Sequence, residues 1–264
     1  MVWNSAWTGS KPHPLWELRG FDTLPRMPVE NPGKLHERMR YPLRYLRYWF
    51  MRMLLEQEAA RLGRPLRVCE VGVGRGQMLA FMGGESSGPE SFRLPAVISR
   101  WDAVDRHLRP ELARYSYSNL YQHDLATNQS LSVGRYDAVI FLHVLEHLME
   151  PEKTLDRFLE TLEPHGIFLG GSPTTPNCIA KYWEARLRRN VGANGHVSVL
   201  TPARLRDYGR LRDMKTEFLS GAYLMRNGGR SIENSALWLR LNLLWGAAFP
   251  SLGNEVYFSL RTSS

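Results

Sequence analysis

The chain has 264 residues, of which 43% are hydrophobic, so it can bury a substantial core as one enzyme-sized α/β domain with additions. It carries 34 basic and 26 acidic residues, a formal net charge of +8. Its two cysteines have neither disulfide-framework nor zinc-site spacing, and no run reaches the roughly 18 to 20 apolar residues of a membrane span. The amino terminus lacks the pattern of a secretory signal, so we expect a cytoplasmic protein.

The chain begins with residues 1–33, which are rich in tryptophan and proline and are predicted to form an N-terminal arm. A helix is predicted over 42–62, because Pro42 suits a first helical turn and Gly63 suits an end. Arginines in 34–67 are interleaved with aromatic residues, which could form a nucleic-acid surface. The same pattern fits a helix with an apolar face and solvated arginines. We favour the helix and do not expect nucleic acid as a partner.

A glycine-rich turn follows the first predicted strand. Glu70 lies near the end of an apolar run, and Gly72, Gly74 and Gly76 follow it at alternate positions. Glycine lets the backbone turn tightly and approach a ligand, and this spacing leaves room for a ribose and an amino-acid tail. A dinucleotide fingerprint would have glycine at position 77, which is Gln77, so a pyrophosphate cradle is disfavoured.

A second strand is predicted over 97–105 and ends in an acid. An acid at the carboxyl end of this strand can accept hydrogen bonds from both ribose hydroxyls, which makes Asp105 the candidate ribose ligand. A Gly/Ser/Pro-rich loop at 83–89 separates Gly76 from Asp105 by 29 residues, more than the roughly 20 typical of such units. Asp102 is therefore kept as the alternative, and Asp105 could instead cap a helix that begins near residue 110.

Strand-length apolar runs continue at 136–142 and 166–171, and a helical pattern over 151–163 separates them. Unbroken apolar strands of this kind are typical of a parallel sheet that is covered on both faces. A basic helix is predicted near 179–189. Another short helix follows, with Thr201 as its predicted cap.

The segment Glu-x-Gly-x-Gly-x-Gly from Glu70, together with Asp-Ala-Val-Ile-Phe-Leu-His-Val-Leu-Glu-His-Leu from Asp137, resembles the class I S-adenosylmethionine-dependent methyltransferases. The likeness is to their small-molecule branch, which includes the ubiquinone-pathway O-methyltransferases. It implies a Rossmann-like α/β fold with a seven-stranded, mostly parallel sheet and helices on both faces. It also implies a methyltransferase domain over 34–264 with a C-terminal antiparallel hairpin (214–222 and 255–261), interrupted by an insertion at about 222–254.

The resemblance implies S-adenosylmethionine as the cofactor and S-adenosylhomocysteine as the product. Glu70 would hold the amino group through the loop or a water, and Asp124 would face the adenine amino group with the Leu125 N–H on a ring nitrogen. The predicted cofactor-binding residues are Glu70, Gly72, Gly74, Gly76, Gln77, Asp105, Arg106, Asp124, Leu125 and His143.

Methyl transfer is an in-line displacement, and an oxygen nucleophile also loses a proton. Histidine is the usual base at neutral pH, and the candidates are His143, His147 and His196. His196 is the preferred base, His143 is either catalytic or a lining of the cofactor pocket, and His147 is expected to brace the loop. No cluster of carboxylates and histidines has metal-ligand spacing, so we expect a metal-free reaction.

The predicted acceptor is a small molecule, a sugar or a lipid-linked glycan, because a Pro-Asn loop and a later Gly-His before Thr-Pro resemble that branch. RNA or protein methylation and a non-catalytic cofactor-binding scaffold or partner subunit remain alternatives. The strongly apolar segment 236–249 either packs on the core or in a homodimer contact, or lies in a membrane interface. The second case would make the protein peripheral at the inner membrane face.

Overall fold

The structure is a computed structural model that describes residues 39–41, 43–84, 94–127, 133–191, 195–222 and 231–263. The predicted arm at 1–33 and most of the loop at 83–89 lie outside the described residues, as does part of the predicted insertion, 223–230.

A seven-stranded sheet forms the centre of the domain, with the strands in the order β3-β2-β1-β4-β5-β7-β6. Neighbours from β3 through β5 are parallel, and β7 is antiparallel to both β5 and β6. The predicted fold class is therefore confirmed, including the C-terminal hairpin. The strands are β1 (Leu66–Val71), β2 (Ile98–Asp105), β3 (Asn119–Gln122), β4 (Tyr136–Leu142), β5 (Leu162–Pro173), β6 (Met214–Ala222) and β7 (Glu255–Thr262).

Helices cover both faces of the sheet. One face packs against α1 and α6 through residues such as Phe50, Leu239 and Leu243, and the other packs against α3 and α5 through Phe158 and Leu205. The helices are α1 (Leu46–Leu62), α2 (Gln77–Leu79), α3 (Pro151–Leu159), α4 (Asn177–Arg189), α5 (Pro202–Leu211) and α6 (Ala236–Ala248).

Local signals account for several helix ends. Gly63 ends α1 in the left-handed region at φ 65°, as its position predicted. Thr201 caps α5 by accepting a hydrogen bond from the Arg204 N–H. The helix expected after the glycine turn differs, because α2 is a single turn that continues into a π-helical segment, Ala80–Gly84. Gly83 lies at φ 108°, outside helical geometry, and breaks the segment there.

The strand order determines where a ligand can bind. Because β2, β1 and β4 are parallel neighbours, their carboxyl ends meet at one edge of the sheet. The glycine turn after β1, Asp105 at the end of β2 and His143 after β4 all lie at this edge. The carboxyl edge is where ligands bind in open α/β sheets.

Candidate active site

The glycine turn is both tightly packed and open. Gly72, Gly74 and Gly76 have φ values of 76°, 57° and 78°, a region that strongly favours glycine. A Cβ at Gly72 would clash with the Val144 side chain, so only glycine lets this turn pack against the segment after β4. At Gly74 nothing lies within 4 Å of a Cβ position. The turn therefore faces open space at its centre, as a cofactor would require.

Glu70 is a buried acid, with 4% of its surface exposed. Trp101 Nε1 donates a hydrogen bond to Glu70 Oε2 over 3.1 Å, and the Tyr117 hydroxyl donates to the same oxygen over 3.3 Å. Both donors are neutral, and within the described residues no cation forms an ion pair with this carboxylate. Burial raises the pKa of Glu70 to about 8, and the charge of Asp105 adds to the effect. A cationic ligand group beside Glu70 would offset the free-energy cost of ionising this buried carboxyl.

The two candidate ribose ligands have different surroundings. Asp105 accepts hydrogen bonds from the Gly74 N–H over 2.9 Å and the His107 N–H over 3.0 Å, so it connects the end of β2 to the glycine turn. Asp102 is fully buried and bonded to Arg100, Asn119 and Tyr136, the last over 2.7 Å. Asp102 thus holds β2, β3 and β4 together, and Asp105 remains the predicted ribose ligand. The helical turn at 110–114 begins without a side-chain cap.

The loop after β3 is shaped by a residue that the sequence did not indicate. Asp124 Oδ1 accepts a hydrogen bond from the Ala126 N–H over 2.9 Å. Arg157 on α3 donates to the carbonyl oxygens of Leu125 and Thr127, over 2.7 and 2.6 Å. This guanidinium fixes the backbone that carries the predicted adenine contacts.

Two predicted cofactor residues lie at the margins of the site. Gln77, half-buried at the start of α2, accepts a hydrogen bond from the Tyr48 hydroxyl over 3.4 Å. Arg106 is exposed beyond β2, and its Nε donates to His107 Nε2 over 3.1 Å. Their contact with a cofactor stays a prediction.

His143 lies between two buried carboxylates. Its Nδ1 is 3.2 Å from Glu146 Oε1, and its Nε2 is 3.4 Å from Glu255 Oε2. Burial lowers the pKa of His143, but the two carboxylates outweigh burial and raise it above its usual value. Arg47 from α1 pairs with Glu255 over 3.1 Å. The network favours a protonated His143, which suits positioning better than proton abstraction, although either role stays a prediction.

Glu255 completes this network from a distant part of the chain. It is the first residue of β7, and the Tyr257 hydroxyl also donates to it. The pKa values of Glu255 and Glu146 both fall below their usual range, because nearby His143 outweighs burial at each and Arg47 adds to the effect at Glu255. Sequence reasoning missed Glu255 and Arg47, since neither belongs to a recognisable motif.

The preferred base, His196, lies beside His147. Their ring centroids are 4.9 Å apart in an edge-on arrangement. The Glu146 carbonyl oxygen accepts hydrogen bonds from the Val197 and Ser198 N–H groups, over 2.8 and 3.0 Å, and holds the two segments together. Glu146, His147 and His196 each offer a ligand atom, and these atoms all lie within 4.8 Å of one another. This cluster was not expected from the spacing of the residues.

Two helices next to the site expose apolar side chains. Helix α4 has no buried residue, and Tyr182 on it is 71% exposed. Its anchor is Glu184, which forms an ion pair with Arg204 of α5 over 2.7 Å. Helix α6 buries Leu239 and Leu243 but exposes a stripe of side chains that are mostly leucine, namely Leu237, Leu241, Leu244 and Ala248. None of the helices that the structure describes is long and apolar enough to cross a membrane.

The sequence matches a family model described as a methyltransferase domain, over residues 37–215. The chain belongs to this family. It is an enzyme of the class I S-adenosylmethionine-dependent methyltransferases, and S-adenosylmethionine is its cofactor. The fit is physical as well, because the turn opens at Gly74 and buried Glu70 faces no cation in the described part of the chain. No curated protein matches the sequence.

Solved structures show the same fold at low sequence identity. The N-methyltransferase NodS from Bradyrhizobium japonicum WM9, in complex with S-adenosyl-L-homocysteine, is 11% identical with a TM-score of 0.50, covering 95% of this chain and 99% of NodS. The plantazolicin methyltransferase BpumL is 15% identical with a TM-score of 0.52, covering 83% and 86%. A putative sarcosine dimethylglycine methyltransferase from Galdieria sulphuraria is 13% identical with a TM-score of 0.51, covering 81% and 86%.

Proposed function

We propose that this methyltransferase methylates an oxygen atom of a small molecule, a sugar or a lipid-linked glycan. The observation that carries the proposal is the position of the cluster Glu146, His147 and His196. The segment after β4 packs through Val144 against Gly72 of the cofactor turn, two residues before Glu146. Groups that can activate a hydroxyl therefore lie beside the turn that receives the cofactor.

The cofactor residues have defined tasks in this proposal. Glu70 receives the amino group, Asp105 binds the ribose hydroxyls, and Asp124 with the Leu125 N–H faces the adenine. When bound, S-adenosylmethionine supplies a methyl group on a positively charged sulfur. The acceptor oxygen would take this methyl group as its hydroxyl proton passes to His196. Orientation of the reacting atoms lowers the barrier, and His196 assists the departure of the proton.

A nitrogen acceptor is the main competitor, since NodS is an N-methyltransferase. A neutral amine carries a lone pair and attacks without a separate base, whereas a hydroxyl must lose its proton. Two imidazoles and a carboxylate beside the turn suit a hydroxyl better, because a hydroxyl needs a base even when it is neutral. This argument favours oxygen.

The first test is to incubate the full-length protein with labelled S-adenosylmethionine and a fractionated cell extract. We expect label in a small-molecule, polysaccharide or lipid fraction, attached through a bond with the acid stability of a methyl ether. Label in RNA or protein would support those alternatives instead. Tight binding of S-adenosylhomocysteine with no label in any fraction would favour a non-catalytic scaffold.

The second test is His196→Ala. We expect it to lower turnover about 100-fold or more while S-adenosylhomocysteine affinity stays nearly unchanged. His165→Asn is the matched control, because His165 is exposed at the opposite edge of the sheet and asparagine tolerates its positive φ of 61°. Normal turnover of the His196→Ala enzyme would exclude this residue from the chemistry.

We also propose that α6 rests on anionic lipid, which would place the protein at the inner membrane face. Its exposed stripe continues into Phe249 and Leu252, which are 48% and 51% exposed. Apolar side chains on a protein of charge +8 suit such a surface, where each nearby basic residue contributes about 1 kcal/mol.

Flotation with anionic liposomes tests this contact. Wild-type protein should float at low salt, and a Leu237→Ser, Leu241→Ser variant should not. Neutral liposomes serve as the control for the contribution of charge. If both proteins remain in solution, the stripe does not bind lipid, and a concentration-dependent dimer in solution would assign it to a contact between two copies.

A further inference from the structure

A cluster of two imidazoles and one carboxylate lies next to the cofactor turn. Glu146 and His147 are adjacent in the helical turn after β4, and His196 comes from the segment that precedes α5. Glu146 is buried, His196 is half-buried, and His147 is exposed, so the cluster lies at the boundary between the core and solvent.

Backbone contacts hold the cluster together without using its side chains. The Glu146 carbonyl oxygen accepts the N–H groups of Val197 and Ser198, which fixes His196 against the turn. The Gly195 carbonyl oxygen lies 3.3 Å from His147 Nδ1. We assign the hydrogen to that nitrogen, which leaves the His147 Nε2 lone pair for a ligand. Metal-bound histidines are commonly oriented by a carbonyl oxygen in this way.

The carboxylate of Glu146 is also oriented. Its Oε2 accepts a hydrogen bond from Ser172 Oγ over 3.0 Å. Its Oε1 is buried and accepts no hydrogen bond of good geometry in the described part of the chain, although His143 Nδ1 lies 3.2 Å away.

We propose that Glu146, His147 and His196 bind a zinc ion. Two imidazole nitrogens and one carboxylate oxygen form the ligand set of catalytic zinc sites, which leave a fourth position open. Ligand atoms about 2.0–2.1 Å from zinc in tetrahedral geometry lie roughly 3.3 Å apart, so the cluster must contract from its present limit of 4.8 Å. His147 is exposed, so its ring can shift toward the other two groups while Nδ1 stays beside the Gly195 carbonyl oxygen.

The role of this ion rests on the proposed function. A hydroxyl oxygen of the acceptor would occupy the fourth position, where zinc would lower the pKa of the bound hydroxyl and favour loss of its proton to solvent water. His196 would then assist the reaction as a zinc ligand rather than as a free base.

Zinc binding can be measured without cofactor or acceptor. Full-length protein is stripped with a chelator and titrated with Zn²⁺ by calorimetry and with Co²⁺ by visible absorption. We expect one equivalent to bind and the cobalt form to show the intense bands of a four-coordinate site. His147→Ala and His196→Ala should each weaken zinc binding by more than about 100-fold. That is a larger loss than removal of a residue that only hydrogen-bonds to a zinc ligand would cause.

Controls separate a specific site from general histidine binding. His165→Asn should bind zinc like the wild type, since that histidine is exposed and far from the cluster. Circular dichroism and the melting temperature show whether each variant is folded. The two histidines are not in the core, so their loss should leave the fold intact, whereas Glu146→Gln alters a buried residue and is informative only if it melts normally.

The results distinguish this inference from the proposed function. Unchanged zinc affinity in a His147→Ala, His196→Ala double variant, or no stoichiometric binding by the folded wild type, would overturn the zinc site. Methyl transfer that persists in excess chelator would overturn its catalytic role. In either case S-adenosylhomocysteine binding and labelling of an acceptor would still support the methyltransferase.

Discussion

Cofactor binding should be linked to the release of a proton from Glu70. In the cofactor-free protein, burial raises the pKa of this carboxyl to about 8, so it is largely neutral at neutral pH. In the proposed function Glu70 holds the ammonium group of the cofactor, which favours the ionised carboxylate because a neutral acid offers it only a weak dipole. Binding therefore requires Glu70 to lose its proton, and affinity should rise with pH up to about 8.

The size of the effect follows from the pKa. A carboxyl with a pKa of about 8 is ionised in about 1% of molecules near pH 6 and in about 10% near pH 7. Each pH unit in this range should therefore change affinity about tenfold, or about 1.4 kcal/mol. Near pH 7, binding should release about 0.9 protons per molecule, because most of the free protein still holds the proton.

Calorimetry of S-adenosylhomocysteine binding in buffers of different ionisation enthalpy measures both quantities. Glu70→Gln should bind as weakly as the wild type does near pH 6 and should release no proton. Glu56→Gln is the matched control, since Glu56 is exposed on α1 and pairs with Arg52 at the surface. Equal affinity of the wild type near pH 6 and pH 7.5, without proton release, would refute the reasoning.

Other substitutions separate binding from stability. Gly72→Ala should abolish S-adenosylhomocysteine binding or unfold the turn, because its Cβ would clash with Val144, and calorimetry with circular dichroism tells which. Asp105→Ala should weaken binding by roughly 1 to 3 kcal/mol with little change in melting temperature. Asp102→Asn should instead lower the free energy of unfolding by about 1 to 3 kcal/mol, since it removes the charge of a fully buried carboxylate that is bonded to Arg100. Leu243→Ala should cost about 2 to 5 kcal/mol in urea denaturation because Leu243 lies in the core.

The pKa of Glu70 also predicts how its removal changes stability with pH. The folded-state pKa lies above the ordinary value of 4.5, so the stability that the neutral acid contributes is present below about pH 4.5. It is lost as the pH rises through about 8, because ionisation is easier in the unfolded chain. The melting temperature of Glu70→Gln relative to the wild type should therefore increase from about pH 5 to about pH 9.

Sequence patterns predicted the fold because they reflect local and repeating constraints. Apolar runs of strand length, such as 136–142, are typical of strands that are buried on both faces of a parallel sheet. Alternate glycines after Glu70 require a turn with positive φ, and all three adopt it. The order of these elements along the chain was then enough to place the glycine turn and Asp105 at one edge.

Contacts between distant segments could not be predicted in the same way. Glu255 meets His143 only because β7 inserts between β5 and β6, and no pattern near Glu255 shows this. Arg157 supports the loop after β3 from the third helix and has no motif of its own. The sequence could not distinguish Asp102 from Asp105, since both are acids near the end of one strand. The structure shows Asp102 fully buried among its partners Arg100, Asn119 and Tyr136, and Asp105 as the ribose ligand stays a prediction.

Helix α6 shows why composition alone left two interpretations open. The segment is apolar around most of its circumference, so its sequence indicates neither a buried face nor an exposed one. Gly246 resolves the orientation, because a Cβ there would clash with the backbone of Gly221 in β6. Close approach of helix and strand at this glycine turns Leu243 into the core and leaves Leu241 and Leu244 outside. The core interpretation is thus correct for one face of the helix, and the membrane interface stays a proposal for the exposed face.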